Sequence, residues 1–145
     1  MKLQIDEIPT IEEMEIIIRC QKVDNKINRI SNYLRTNYIT IVGKLEGENY
    51  VLNLDDIYYF EAVENRVFAY VEKEVYEVNY KLQKLTELLE RTSFIQTART
   101  IVLNINKINR VSTLVNGRIG AVLVNGEKMI ITRAYAHDFK RKLSE

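Results

Sequence analysis

Few side chains in this 145-residue sequence have the types and spacing that catalysis requires. Asp55 and Asp56 form an acidic pair like the one that holds Mg²⁺ in a phosphoreceiver domain. A helix should then follow closely, but the sequence stays strand-like as far as Asn79, so the pair is predicted to form a turn or cap. His137 and Asp138 are neighbours on a predicted helix and cannot face each other as a dyad.

The remaining reactive side chains also lack partners. Glu61 could act as a lone base, but no nucleophile accompanies it. Cys20 is the only cysteine, which excludes an internal disulfide and fits a reducing cytoplasm; we expect it to be a small buried hydrophobe. One His and one Cys make no zinc site of the usual kind. The two common glycine-rich phosphate loops are absent. We therefore predict no enzyme, no metal and no cofactor.

Arg99 has a setting that suits recognition. It lies in a polar stretch, Gln96–Thr100, between two strand-like runs. An arginine on a connection anchored at both ends suits a bidentate contact to guanine or to a phosphate. The alternative is a surface arginine that pairs with an acid of the middle region, and the residues alone leave both possibilities open.

Charge is distributed unevenly along the chain, although the net charge is only +1. Residues 93–145 carry nine Lys/Arg against three Asp/Glu, whereas residues 41–92 carry six against eleven. Such asymmetry suggests a polyanion for the basic third. Internal pairing with the acidic middle, or docking of an acidic protein partner, would explain the same pattern.

Composition indicates an ordinary globular domain, with 46% hydrophobic and 28% charged residues. No apolar run approaches the ~18 residues of a membrane span. The first ten residues lack the apolar core of an export signal, so a cytoplasmic location is expected.

The first 37 residues are predicted to form a small β-β-α segment, separate from a domain over residues 38–145. Lys2–Ile5 and Glu15–Cys20 are strand-like. A helix is predicted over Lys22–Arg35, because an apolar stripe recurs there at helical spacing. A soft boundary follows at Thr36-Asn37.

The rest of the chain is predicted to be mostly β. Strand-like runs fill the region up to Asn79, and a leucine stripe predicts a helix over Lys81–Arg91. Because β structure separates the two longer helices, a helix-turn-helix motif is poorly supported.

Two Asn-Gly pairs predict type I′ hairpin turns, because both central residues of such a turn need positive φ. The pairs begin at Asn116 and Asn125. They imply a three-stranded meander, and a terminal helix is predicted over Arg133–Leu143. The meander strands are predicted at Ile108–Val115, Arg118–Val124 and Lys128–Thr132.

Four stretches in order resemble the LytTR family of bacterial DNA-binding domains, over roughly Tyr38–Leu143. No single stretch is specific to the family, but all four occur in the family's order and at its spacing. They are Asp56–Ala62 with Asn65-Arg66-Val67; the leucine stripe closing on Phe94–Arg99; Ile101–Ile108; and the Asn-Gly hairpin leading to Ile131–Tyr135, where Thr132 replaces the usual serine.

The resemblance implies a mainly antiparallel β fold with short helices, whose loops enter successive major grooves of duplex DNA. By position, Asn65 and Arg66 match one contact loop of the family. Arg99 matches a second, where some members carry asparagine and many standalone members carry arginine, and Arg133 matches the start of the closing helix. Asn65, Arg99 and Arg133 would then supply specificity.

Further expectations follow from the resemblance. Lys107, Arg110 and the cluster Lys140–Lys142 are weaker candidates for phosphate contacts. Because 37 residues are too few for a phosphoreceiver, the chain resembles the standalone subclass, often encoded beside a small membrane protein that modulates it. Family members bind paired sites, so we expect a homodimer, with the first 37 residues as a possible dimerisation or regulatory element.

Overall fold

The computed structural model describes residues 1–144, which form three helices and ten strands. Short 3-10 turns cover Leu54–Asp56, Ile105–Lys107 and Val115–Gly117. The helices are α1 (Asn25–Tyr38), α2 (Leu82–Leu88) and α3 (Arg133–Leu143). The strands are β1 (Ile41–Leu45), β2 (Glu48–Leu52), β3 (Tyr59–Val63), β4 (Arg66–Tyr70), β5 (Val75–Val78), β6 (Phe94–Ala98), β7 (Ile101–Asn104), β8 (Ile108–Thr113), β9 (Ile119–Leu123) and β10 (Lys128–Ile131).

Seven strands form an antiparallel sheet in the order β2-β1-β5-β4-β3-β7-β6. Two of its hairpins close through two residues at positive φ: Glu46 and Gly47 join β1 to β2, and Glu64 and Asn65 join β3 to β4. Two such residues in succession match the right-handed twist of the paired strands. The predicted mainly antiparallel fold with short helices is confirmed, and strands separate each helix from the next.

The remaining strands form the predicted meander, in the order β10-β9-β8. Asn116 and Gly117 have φ of 63° and 73°, as a type I′ turn requires. The second Asn-Gly pair differs from the prediction, because only Gly126 has positive φ, at 90°. The Leu123 N–H donates to the Glu127 carbonyl at 2.8 Å, so the loop holds three residues, and the Gly126 N–H closes it by donating to the Leu123 carbonyl at 2.9 Å.

Three apolar clusters hold the molecule together. The largest lies under the seven-stranded sheet, where Phe60 and Phe94 are buried with ring centroids 5.5 Å apart. A second packs Phe139 of α3 onto the small sheet. The third joins the two sheets through Leu103 and Leu123, both at most 1% exposed. Each such side chain contributes about 1.5–3 kcal/mol on burial, so the sheets and α3 form one body.

The two strands expected before residue 24 are not formed in this stretch, all of which the structure describes. Each residue from 1 to 26 is exposed, and Cys20 is exposed too, contrary to the expectation that it is buried. A strand needs a partner for its backbone groups, and here the segment pairs with no other strand of the described chain.

Helix α1 begins and ends three residues later than the sequence predicts. Asp24 sets the start, because its Oδ1 accepts from the Ile27 N–H at 3.0 Å. The helix ends at Tyr38, one residue beyond the expected boundary, and Thr36 is buried. No helix of residues 1–144 is long and apolar enough to cross a bilayer.

Candidate nucleic-acid interface

Four chain connections meet at one edge of the molecule, which we call the basic edge. They are the β3–β4 turn (residues 64–65), the β6–β7 turn (99–100), the β8–β9 turn (115–118) and the β10–α3 junction (132–133). The Ala62 N–H donates to the Thr100 carbonyl at 2.8 Å, and the Thr132 N–H donates to the Thr97 carbonyl at 3.0 Å. A Cβ on Gly117 would lie 3.2 Å from Cγ of Arg133, so that turn lies against α3.

Asn65 and Arg66 occupy the β3–β4 turn and the first position of β4. Asn65 is exposed with a φ of 65°, a conformation that asparagine tolerates better than most residues. Arg66 is exposed, and its Nε lies 3.7 Å from Oε1 of Glu77. A solvent-exposed ion pair contributes about 0–1 kcal/mol to stability. Arg66 can therefore exchange Glu77 for a stronger acceptor.

Arg99 is exposed at the tip of the β6–β7 turn. Its carbonyl accepts from Nε2 of Gln96 at 3.3 Å, and the β6–β7 register shifts between Gln96 and Ala98. Bulges of this kind redirect a side chain at the rim of a sheet. No carboxylate of the described residues lies within ion-pair distance of Arg99, so the structure does not show the surface pairing that the sequence left open.

Arg133 begins α3 at the same edge. Thr132 precedes it as the N-cap, but its hydroxyl makes no cap bond and donates instead to the Thr97 carbonyl at 3.4 Å. The Tyr135 N–H donates to the Thr132 carbonyl at 3.0 Å, whereas no side chain caps the N–H groups of Arg133 and Ala134, and such a helix start favours an anion. Lys140 lies seven residues on, about 10 Å along the helix at ~1.5 Å per residue, and on the same exposed face as Arg133.

Lys107 and Arg110 lie away from the basic edge. Lys107 follows β7 at the opposite end of that strand, with its Nζ 5.0 Å from the ring centroid of Tyr58. Burial, and secondarily the charge of Glu72, raise the pKa of that Tyr58 phenol. Arg110 is exposed within β8, opposite Val122.

Arg118 is a further cation of the basic edge. From the sequence it was one of the nine Lys/Arg of residues 93–145 and was not predicted as a DNA contact. It is half-buried and follows the Asn116-Gly117 turn, with its Nε donating to the Val115 carbonyl at 3.4 Å. The Asn-Gly signal placed this arginine beside a tight turn. Nothing local indicated that the turn lies against Arg133.

Other predictions about reactive side chains can be compared with the structure. Asp55 and Asp56 lie in a 3-10 turn, as expected, and Oδ1 of Asn53 accepts from the Asp55 N–H at 3.0 Å. Glu61 accepts from the Tyr70 hydroxyl at 3.1 Å, and Asp138 pairs with Arg141. No cluster of three or more potential metal ligands occurs in residues 1–144. The basic edge thus offers guanidinium and amide donors on anchored turns, which suit phosphate and base edges.

Known proteins resemble this chain in sequence and in fold. The family model described as LytTr DNA-binding domain matches residues 47–144. The sensory transduction protein LytT of Enterococcus faecalis is 32% identical over 101 residues, covering 68% of this chain and 42% of that protein. LytT of Bacillus cereus is 27% identical over 99 residues, covering 68% and 40%. The chain therefore spans about two fifths of these relatives.

Two further proteins match this chain over nearly their whole length. A Staphylococcus aureus protein described as an uncharacterized HTH-type transcriptional regulator is 23% identical over 146 residues, 99% of both chains. A solved LytTr DNA-binding domain from Bacillus cereus has a TM-score of 0.68 and 23% identity, covering 73% of this chain and 97% of that one. The structural likeness shows a common fold, and with the family match over residues 47–144 it establishes that this chain belongs to the LytTr DNA-binding domain family.

Proposed function

We propose that the chain is a transcription regulator that binds duplex DNA sequence-specifically, with the turns of its basic edge in the major groove. The observation that carries this is the convergence of Arg66, Arg99, Arg118 and Arg133 from four separate connections, two of them joined to the sheet by backbone hydrogen bonds. Relatives named as sensory transduction proteins and as transcriptional regulators support the regulatory role.

Three residues are proposed to read bases. The guanidinium forks of Arg99 and Arg133 suit O6 and N7 of guanine, and the amide of Asn65 suits N6 and N7 of adenine. These side chains come from three different turns, so one domain would read a composite site.

Other cations are proposed to contact phosphates. Arg66 forms a long ion pair with Glu77, at 3.7 Å, and Lys140 extends the basic face of α3. Lys107 and Arg110 stay proposals for more distant phosphate contacts, because each lies away from the basic edge. Phosphate contacts position the protein on the duplex and supply most of the sequence-independent affinity.

Self-association is the second part of the proposal. Paired sites on DNA would be filled by a homodimer, because joining two protomers raises the effective concentration at the second site. We also propose a cytoplasmic location, and modulation by a small membrane protein that contacts the exposed segment before α1.

The alternative function is a protein-interaction module whose basic third docks an acidic protein. The row of Arg110 and Lys128 on one face of the small sheet favours it, because both pair with Val122, away from the turns of the basic edge. Both functions are electrostatic, so salt dependence alone does not distinguish them.

The test is genome-wide binding of the full chain, followed by footprinting of the strongest site and competition with random duplex. A specific regulator should prefer that site by roughly 10³-fold or more. Arg133→Lys keeps the charge but removes the fork, so it should lose most of the preference, whereas Arg91→Ala, on the α2–β6 connection, should lose none. Equal binding to specific and random DNA would contradict the proposal and favour the interaction module.

A further inference from the structure

Strand β8 is an unprotected edge of the small sheet. It lies at the end of the order β10-β9-β8, and its residues from Asn109 to Thr113 are all exposed. Val111 is paired with Ala121, which is 1% exposed, yet Val111 itself is 42% exposed because no strand lies beyond it. Edges of this kind accept an additional strand through their free backbone groups.

The two faces of β8 differ in chemistry. Arg110 pairs with Val122, and Val122 pairs in turn with Lys128, so the two cations share the outer face of the sheet. Val111 lies on the inner face with Ala121. An added strand that fits this edge would carry acids on one face and apolar side chains on the other.

The exposed segment before α1 has that pattern. Residues 3–18 hold five Asp/Glu and no Lys or Arg. Within residues 13–18, an extended conformation puts Glu13, Glu15 and Ile17 on one face and Met14, Ile16 and Ile18 on the other. These residues are exposed in the chain, which leaves them available to a partner.

Charge distinguishes β8 from the other exposed edge strand, β2. The β1–β2 hairpin carries Lys44 against Glu46 and Glu48, so it would repel an acidic strand. Residues 107–133 carry five Lys/Arg and one Asp/Glu. The acidic segment is therefore attracted to β8 and disfavoured at β2.

We propose that residues 13–18 of a second copy of this chain add as a strand to the β8 edge. Glu13 and Glu15 would then lie toward Arg110 and Lys128, and Met14, Ile16 and Ile18 toward Val111. The exchange is reciprocal, so each copy donates one strand and accepts one, as a two-fold dimer requires. This deepens the self-association proposed above and does not depend on DNA binding.

The test uses the full chain without DNA. Light scattering across a wide concentration range should show a monomer–dimer equilibrium. Hydrogen exchange should slow with rising concentration in peptides covering residues 13–18 and 108–113, while peptides covering β2 stay unchanged. Protection independent of concentration would mean that the segment folds onto its own β8, and a monomer at all concentrations would also overturn the proposal.

A charge swap tests whether these particular residues pair. Arg110→Glu with Lys128→Glu should weaken dimerisation by ~10-fold, and the added changes Glu13→Lys and Glu15→Lys should restore it. Lys44→Glu is the matched control on the other hairpin and should have no effect. Failure of the combined variant to recover, with its fold intact by circular dichroism, would exclude this pairing even if specific DNA binding by the wild-type chain is confirmed.

Discussion

Arginine at a fixed turn has a particular advantage over lysine in this interface. The guanidinium is planar and presents paired donors, so its benefit depends on how well the backbone beneath it is held. At Arg99 that support comes from the Gln96 amide on its carbonyl and from the irregular register below the turn. At Arg133 it comes from the bond between Thr132 and Thr97. Both arginines are thus carried by backbone that hydrogen bonds hold in place.

Arg99→Ala should weaken binding to the specific site by about 1–3 kcal/mol and change binding to random duplex little, because a base contact carries discrimination. Fluorescence anisotropy titrations on both duplexes measure this. Arg91→Ala is the control for loss of one arginine charge far from the basic edge. An equal loss on both duplexes would make Arg99 a phosphate contact.

At the scale of elements, Asn104 joins three strands near the end opposite the basic edge. Its side chain is 1% exposed. Its Nδ2 donates to the Ile57 carbonyl at 2.9 Å, and its Oδ1 accepts from the Ser93 hydroxyl at 2.7 Å and the Asn106 N–H at 3.1 Å. These hydrogen bonds hold Ser93, just before β6, and Ile57, shortly before β3, against the end of β7. The hairpin that carries Arg99 is therefore anchored at both ends.

Asn104→Ala should lower the free energy of unfolding by about 1–3 kcal/mol, because it leaves the Ile57 carbonyl and the Ser93 hydroxyl without this buried partner. Urea denaturation followed by circular dichroism measures the change. Asn106→Ala is the matched control and should stay within about 0.5 kcal/mol, since its side chain is exposed and its backbone N–H is retained. If Asn104→Ala lowered the free energy of unfolding no more than Asn106→Ala does, the buried network would add no stability of its own.

The two sheets are joined by tyrosines as well as by aliphatic side chains. Tyr59 and Tyr70 stack with ring centroids 4.5 Å apart, and the Tyr59 hydroxyl donates to Glu127 at 2.8 Å. Burial, followed by that hydrogen bond and the Glu127 charge, raises the pKa of Tyr59. The phenol therefore stays neutral and keeps the β9–β10 hairpin attached to β3.

At the scale of the whole molecule, the charge separation along the chain persists in space. The ion pairs Arg66–Glu77, Lys84–Glu87 and Arg141–Asp138 each join residues of the same third of the chain. They do not neutralise the basic third with acids of the middle. Arg99, Arg118 and Arg133 of the basic edge take part in none of these pairs, and their positive charge attracts a polyanion.

DNA affinity should fall with salt, with a log–log slope of about −0.9 for each neutralised phosphate. Lys140→Ala should weaken specific and random duplex similarly and make the slope shallower by about 0.9, if Lys140 contacts one phosphate. Lys73→Ala, at the β4–β5 turn on the opposite edge, should leave the slope unchanged. Affinity that is insensitive to salt would exclude the electrostatic interface.

Local signals determined much of the fold from the sequence alone. The Asn116-Gly117 pair predicted a type I′ hairpin, and α3 was predicted with the bounds that the structure shows. Turn chemistry and apolar periodicity act between near neighbours, so they can be read without the rest of the chain. The residue types proposed to read bases were identified in the same way, through the family resemblance.

Tertiary structure decided what depends on distant partners. Glu15–Cys20 has the composition of a strand but no strand pairs with it in the described chain, and Cys20 is exposed for that reason. Lys107 lies opposite the basic edge although it is near Arg99 in sequence, because the length of β7 separates them. Arg118 reaches that edge because its turn packs against Arg133. Backbone pairing and packing between distant segments set these positions, and no local pattern encodes them.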